Sequence, residues 1–220
     1  AAGTNPELWE GRDKNKDQSY FLARITREQL AGVRFPLGEI DKPRVRAIAR
    51  EFGLPVAEKK DSQGICFLGK VKVPEFLSNF IEDNPGEIVT TQGKVVGSHQ
   101  GLHRYTLGQR RGIGVPSNMD NENFVVTGKD ESTNRLIVAF ESPDEPTLWG
   151  RRYEVENLSF LLDEPLSGEL ELLGKARYRD PSVDLSFRSI EDGRAEVVFR
   201  EAQRALAPGQ VLALYDGEKL

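Results

Sequence analysis

From Gly86 to Leu220 the chain is written in short runs of apolar and β-branched residues, each closed by a turn signal, and no helical spacing is sustained anywhere in that span. This grammar constrains the fold more than any other feature, because it requires that most of the chain be sheet. Residues 87–91 and 94–98 flank Gln92-Gly93 as two strands of a hairpin would, and 124–127 and 135–140 flank a polar turn at 130–134. After a Pro-bearing stretch at 141–147, which reads as a linker, come five more runs at 153–162, 169–178, 183–188, 195–200 and 210–215. Strands this short at this spacing predict a small barrel or sandwich.

The residues before Gly86 use the other period. Thr26 followed by Gln29 is a capping box, with Phe21, Leu22, Ile25 and Leu30 as an apolar side. Asp41 caps a second helix with Pro43 in its first turn, and Val45, Ile48, Ala49 and Phe52 share a face before Gly53 and Pro55 stop it. Such a face predicts packing on a sheet. A third helix is expected over 74–81. The fold class is therefore α+β.

Several function classes drop out on composition. One cysteine, Cys66, excludes an intrachain disulfide framework and a zinc site of two CxxC pairs, and a lone thiol suits a reducing, cytoplasmic setting. Apolar runs fall well short of the roughly 20 residues of a membrane helix, so no membrane partner is expected. A net charge of −5 argues against a general polyanion binder and leaves room only for a local basic patch. Nucleotide-loop and hydrolase motifs (GxGxxG, the P-loop, GxSxG, HExxH) are absent. The opening Ala1-Ala2-Gly3 has neither the basic nor the apolar region of a signal peptide and reads as a cut edge. Tyr215-Asp216-Gly217-Glu218 likewise reads as a hairpin turn whose return strand is lost.

Five strings concentrate chemistry or turn signals. In Lys59-Lys60-Asp61-Ser62-Gln63-Gly64-Ile65-Cys66-Phe67 a tight loop precedes the cysteine. Cys66 is either a buried hydrophobe between Ile65 and Phe67 or a thiol activated by a nearby lysine. The stretch 97–112 holds both histidines, His99 and His103, but its glycines make a helical metal pair improbable. No acid lies between Ile88 and Met119, whereas Lys94, Arg104, Arg110 and Arg111 do, so a cationic face is expected there, either RNA-contacting or simply solvated. Lys175-Ala176-Arg177-Tyr178-Arg179, if extended, aligns its three cations on one side. In Lys16-Asp17-Gln18, Asp17 is placed to cap a helix. Ala207-Pro208-Gly209-Gln210 is a turn entering a strand.

Together these strings, with Phe35-Pro36-Leu37-Gly38, resemble the tRNA-specific 2-thiouridylases of the bacterial and mitochondrial type, in family order from about Asp13 to the end. The resemblance implies the tail of an α/β nucleotide-hydrolase-like catalytic domain (1–68), a small mostly β central domain (69–145) and a C-terminal antiparallel β-barrel (146–220). It implies a fragment without the N-terminal pyrophosphate loop, whose ATP and Mg are bound outside this chain. In that family ATP adenylates the C2 oxygen of the wobble uridine, and a persulfide sulfur reaches C2 as AMP leaves. Cys66 aligns with the persulfide carrier, and its disulfide-forming partner cysteine falls outside the chain. Lys16, Asp17 and Gln18 align with tRNA contacts beside the flipped base, Arg177, Tyr178 and Gln210 with barrel contacts to the anticodon arm, and Arg110 and Arg111 are phosphate contacts by charge alone. The partners implied are tRNA and a sulfur-delivering protein, a cysteine desulfurase or a relay protein.

Overall fold

The computed structural model describes residues 6–60, 76–116, 123–162 and 165–220. These fall into two compact units. One joins residues 1–60 to 151–202 and 209–220, and the other comprises 61–150 with 203–208.

The second unit is built on the predicted hairpins. Strands β1 (Gly86–Thr90) and β2 (Val95–His99) pair antiparallel around a turn in which Gly93 takes a φ of 83°, a conformation costly for any residue with a Cβ. Strands β3 (Phe124–Asp130) and β4 (Arg135–Phe140) form the second hairpin. The sheet order is β2-β1-β4-β3, with β1 and β4 parallel at its centre. Ile88, Val126, Leu136 and Val138 point to one face, where Tyr105 and Ile113 cover them. Opposite, Val125 packs with Leu148 and Ala205. His99 is fully buried, with Nε2 3.1 Å from the Asn134 carbonyl oxygen.

The first unit holds the antiparallel sheet β5-β8-β7-β6-β9, comprising β5 (Trp149–Val155), β6 (Glu169–Lys175), β7 (Val183–Ser189), β8 (Ala195–Arg204) and β9 (Ala213–Tyr215). Burial alternates as half-buried strands require: Leu185 and Phe187 point in from β7, and Ala195, Val197 and Phe199 from β8. No pairing joins β5 to β9 among the described residues, so the sheet is not closed. The class is α+β, with few helices and two sheets.

The N-terminal segment seals this unit. Backbone bonds run from the Leu220 amide to Leu8 and from the Glu10 amide to Glu218, and the Asp216–Lys219 turn is formed. The residues after that turn therefore find their partner at residues 8–10. Helix α1 (Arg27–Ala31) has the expected reciprocal capping box between Thr26 and Gln29. Helix α2 (Lys42–Glu51) is capped by Asp41, whose Oδ1 accepts from the Arg44 amide at 2.8 Å. The expected packing of α2 on a sheet is not found: none of its residues is buried, and Phe52, just beyond it, is 76% exposed. Every strand described lies at or beyond Gly86, and both sheets fill their cores with other residues. The expected third helix is helical at 76–77 and turns thereafter, its start lying outside the described residues.

Candidate nucleic-acid interface

Two of the strings that chemistry singled out meet in the first unit. Residues Ser19–Leu22 form a 3-10 turn, and Tyr20 directs its hydroxyl at two carbonyl oxygens, Ala176 at 3.1 Å and Val211 at 3.0 Å. Burial raises the Tyr20 pKa, which keeps that hydroxyl a donor. The Phe21 ring lies 4.5 Å from the Tyr178 ring, tilted at 45°, and the Arg179 guanidinium sits 5.3 Å from the same tyrosine ring. The 16–21 string, the 175–179 string and the turn before β9 therefore form one surface. Gln210, in that turn, is exposed.

Asp17 is a structural anchor in this surface rather than a helix cap. Its Oδ1 accepts from the Gly11 amide at 2.8 Å and the Ser19 amide at 3.2 Å, and its Oδ2 accepts from the Ser19 hydroxyl at 2.7 Å. Gln18 occupies the cap position, makes no side-chain cap bond and is exposed. Ser19 carries the anchor inward, with Oγ 3.1 Å from the Tyr215 hydroxyl. Burial pushes the Tyr215 pKa up to about 12. The loop that presents Lys16 and Gln18 is thus tied to the sheet through Asp17, Ser19 and Tyr215.

Lys175, Arg177 and Arg179 do not share one face. Strand β6 ends at Lys175, and the chain turns through 177–179, where Arg179 adopts a φ of 70°. Lys175 points inward to a salt bridge of 2.6 Å with Glu10, both side chains at least nine-tenths buried. Arg177 faces Asp180 at 3.9 Å. Glu10 had no prominence in the sequence, and Ser19 none beyond its place in the 16–21 string, since Lys175 and Tyr215 lie more than 160 residues away.

The acid-free interval does not form an unopposed cationic face. Arg104 clamps Asp83 through two bonds of 2.7 and 2.8 Å, with His103 Nε2 3.6 Å from the same carboxylate. Arg110 is paired with Glu141, which also receives Arg204 at 2.7 Å. Burial opposes charge on Glu141, but the two guanidiniums outweigh it and lower its pKa. The acids, Asp83 and Glu141, come from before and well after the interval. Arg111 and Lys94 remain exposed. Neither histidine joins a metal-ligand cluster among the described residues, and no described helix is long and apolar enough to cross a membrane. Cys66 lies outside the described residues.

A second basic feature escaped the linear reading. A cleft of about 790 Å³ opens between the 12–16 loop and α2, lined by Arg12, Lys14, Lys16, Lys42, Arg46 and Arg50 together with Asp13 and Asp41. Its helical members recur every fourth residue, one stripe of a helix, and that spacing was the available signal.

Comparison with known proteins converges on one family. Residues 2–70 match a family model described as the tRNA methyl transferase HUP domain, 74–140 the tRNA methyl transferase PRC-barrel domain, and 151–220 the aminomethyltransferase β-barrel domain. A protein of Akkermansia muciniphila named tRNA-specific 2-thiouridylase MnmA is 46% identical over 210 residues, covering 96% of this chain and 58% of that protein. Proteins of the same name from Lysinibacillus sphaericus and Escherichia coli are each 42% identical over 213 residues, and the chain covers 56% and 58% of them. The chain thus spans a little over half the length of these relatives. Matched in order from residue 2 to residue 220, it belongs to the tRNA-specific 2-thiouridylase family.

Proposed function

We propose that this chain is the RNA-handling and sulfur-carrying part of a tRNA-uridine 2-sulfurtransferase, whose ATP site and second cysteine lie in sequence that it does not contain. The observation that carries the reading is the surface at Tyr20, Phe21, Ala176 and Tyr178, which brings strings more than 150 residues apart to one place. The relatives' names fit it as well. The family models are named for methyl transfer, but the thiouridylase names agree with the Cys66 loop, and sulfur is the group assigned.

In this reading Lys16 and Gln18 reach the flipped base and its phosphates from a loop that Asp17 holds, and Tyr178 and Arg177 receive the anticodon arm, with Gln210 beside them. Exposed aromatic and guanidinium groups suit splayed-out loop bases. Arg111 contacts phosphate, while Arg110 contributes through its pairing with Glu141. Cys66 carries a persulfide, the better nucleophile than a thiol at neutral pH. The persulfide sulfur bonds to C2 of an ATP-activated wobble uridine, the C2 oxygen departs with AMP, and a cysteine outside this chain takes Cys66 into a disulfide as thiouridine is freed. Once a thiol reductant has reopened that disulfide, a cysteine desulfurase or relay protein reloads Cys66 in the cytoplasm. The three-domain division at 68 and 145 belongs to the same reading.

The chain alone, with ATP, a sulfur source and tRNA, is expected to yield no 2-thiouridine. Extended at its N-terminus to the length of its relatives it gains that activity, and Cys66→Ser abolishes it. Normal thiolation by the extended Cys66→Ser protein overturns the assignment. The second reading is a non-catalytic RNA-binding module of the same ancestry, favoured by the fraction of the relatives' length present. RNA binding by a protein that never thiolates, however extended, selects it.

A further inference from the structure

We infer that the cleft between the 12–16 loop and α2 is a track for RNA backbone phosphates, running to the loop that presents Lys16 and Gln18. The inference rests on the RNA reading above and extends it to a surface that the aligned strings reach only at Lys16. The cleft wall carries six cations against two carboxylates in a chain whose net charge is −5. Both acids are occupied in building the walls. Asp13 Oδ2 accepts from the Lys42 amide at 3.0 Å, which fastens the loop to the start of α2, and Asp41 caps that helix. Lys14 is held by Glu10 and Glu218, and Arg50 by Glu58 at 2.6 Å, so these two are partly neutralised from outside the cleft. Arg46 spends two bonds on the Ala57 and Lys59 carbonyls, which fix the guanidinium, and its charge is also felt by the Glu58 carboxyl. Arg12 is exposed on the opposite wall. Cations held on two walls and open to solvent suit a polyanionic strand rather than a small enclosed ligand. Lys16 lines the cleft and also belongs to the 16–18 string, so a strand seated there leads to the base-handling surface.

The test uses the full 220-residue chain, an anticodon stem-loop RNA of a thiolated tRNA, an unrelated stem-loop of equal length, and polyglutamate as an acidic-protein probe. Binding is measured across a salt series for wild type, for Arg12→Gln/Lys42→Gln, and for the charge-keeping pair Arg12→Lys/Lys42→Arg, with thermal unfolding recorded for each. Two lost phosphate contacts reduce the salt slope by about 1.4–1.8 and weaken binding roughly 25- to 60-fold at about 0.1 M salt, equally for both RNAs. The charge-keeping pair retains the wild-type slope. RNA binding by a folded Gln pair with an unchanged slope overturns the cleft assignment and leaves the RNA reading standing. Loss of polyglutamate binding alone, with the RNA slope intact, assigns the cleft to an acidic protein and also overturns it. No salt-dependent RNA binding by wild type removes the RNA reading itself and the track with it.

Discussion

Lys175→Met tests whether the string 175–179 is wholly an RNA surface or is turned inward at its first residue. Lys175 and Glu10 are both buried and meet at 2.6 Å. Removing one partner of a buried pair leaves an uncompensated charge, at a cost of about 3–5 kcal/mol. Two features set the value here. Lys14 remains 2.9 Å from Glu10 and offsets part of the loss, while the contact of Lys175 over the Tyr215 ring at 5.3 Å is also removed. Met retains the length of the apolar stem, so the expected cost sits near the lower end, about 3 kcal/mol. For a chain of this size that lowers the midpoint by about 6–12 °C. Trp9 lies in the first unit, while Trp149 starts β5 just before the boundary at 150 that divides the units, and they are the chain's two tryptophans, so in a Trp149→Phe background the fluorescence of Trp9 reports the first unit alone. The companion variant Glu10→Leu is destabilised comparably, and Glu10→Leu/Lys175→Met returns to within about 1 kcal/mol of wild type, because two matched apolar groups replace a costly ion pair. The argument fails if Lys175→Met costs under about 1 kcal/mol, or if the double variant loses the sum of the singles. RNA affinity below the transition is expected to stay within about twofold for Lys175→Met, since a group buried against Glu10 makes no phosphate contact.

Four further expectations follow from the same geometry. Phe21→Ala loses the ring contact with Tyr178, costs about 0.5–1.5 kcal/mol beyond its area in urea unfolding, and weakens stem-loop binding by freeing the tyrosine. Arg111→Ala reduces the RNA salt slope by about 0.7–0.9 with little change in stability, whereas Arg110→Ala leaves Glu141 to Arg204 alone and lowers the midpoint of the second unit. Gly86→Ala drives a methyl into the Asn134 carbonyl and within 2.7 Å of His99 Nε2, and overpacking of that kind costs about 1–3 kcal/mol in thermal unfolding of the second unit. Between about pH 10, where unfolded tyrosine ionises, and about 12, where Tyr215 does, the folded state holds one more proton than the unfolded state, so stability falls across that window. In Tyr215→Phe that decline is reduced, as alkaline unfolding of the pair of proteins will register.

How much of this was legible in the sequence follows from the range of each interaction. Gln92-Gly93, the Thr26–Gln29 box and the Asp41 cap are settled within four residues, and each stands where the chain predicts it. Lys175 and Arg179 looked like neighbours on one face because the strand was carried past its end. A left-handed residue at 179 breaks the period, and nothing in Arg-Tyr-Arg announces it. The interval without acids lost its meaning in three dimensions because Asp83 and Glu141 fold back on it from either side. Asp17 read as a cap because an acid before a turn is usually one, while its actual partners include an amide six residues earlier. For Cys66 the residues alone left an inert and a reactive thiol side by side, and only resemblance separated them.

The clasp between residues 8–10 and 218–220 has a consequence for synthesis. On a ribosome adding about 5–20 residues per second, Leu8 waits roughly 10–40 s for Leu220. Residues 203–208 complete the second unit only near the end of that interval, and until 215–220 follow them Leu8, Glu10 and Ser19 lack the Leu220 amide, the Glu218 carbonyl and the Tyr215 hydroxyl. The clasp of the first unit thus forms only after the turn at Asp216–Lys219 has emerged, so residues 8–10 stay unclasped until nearly all of both sheets has been made.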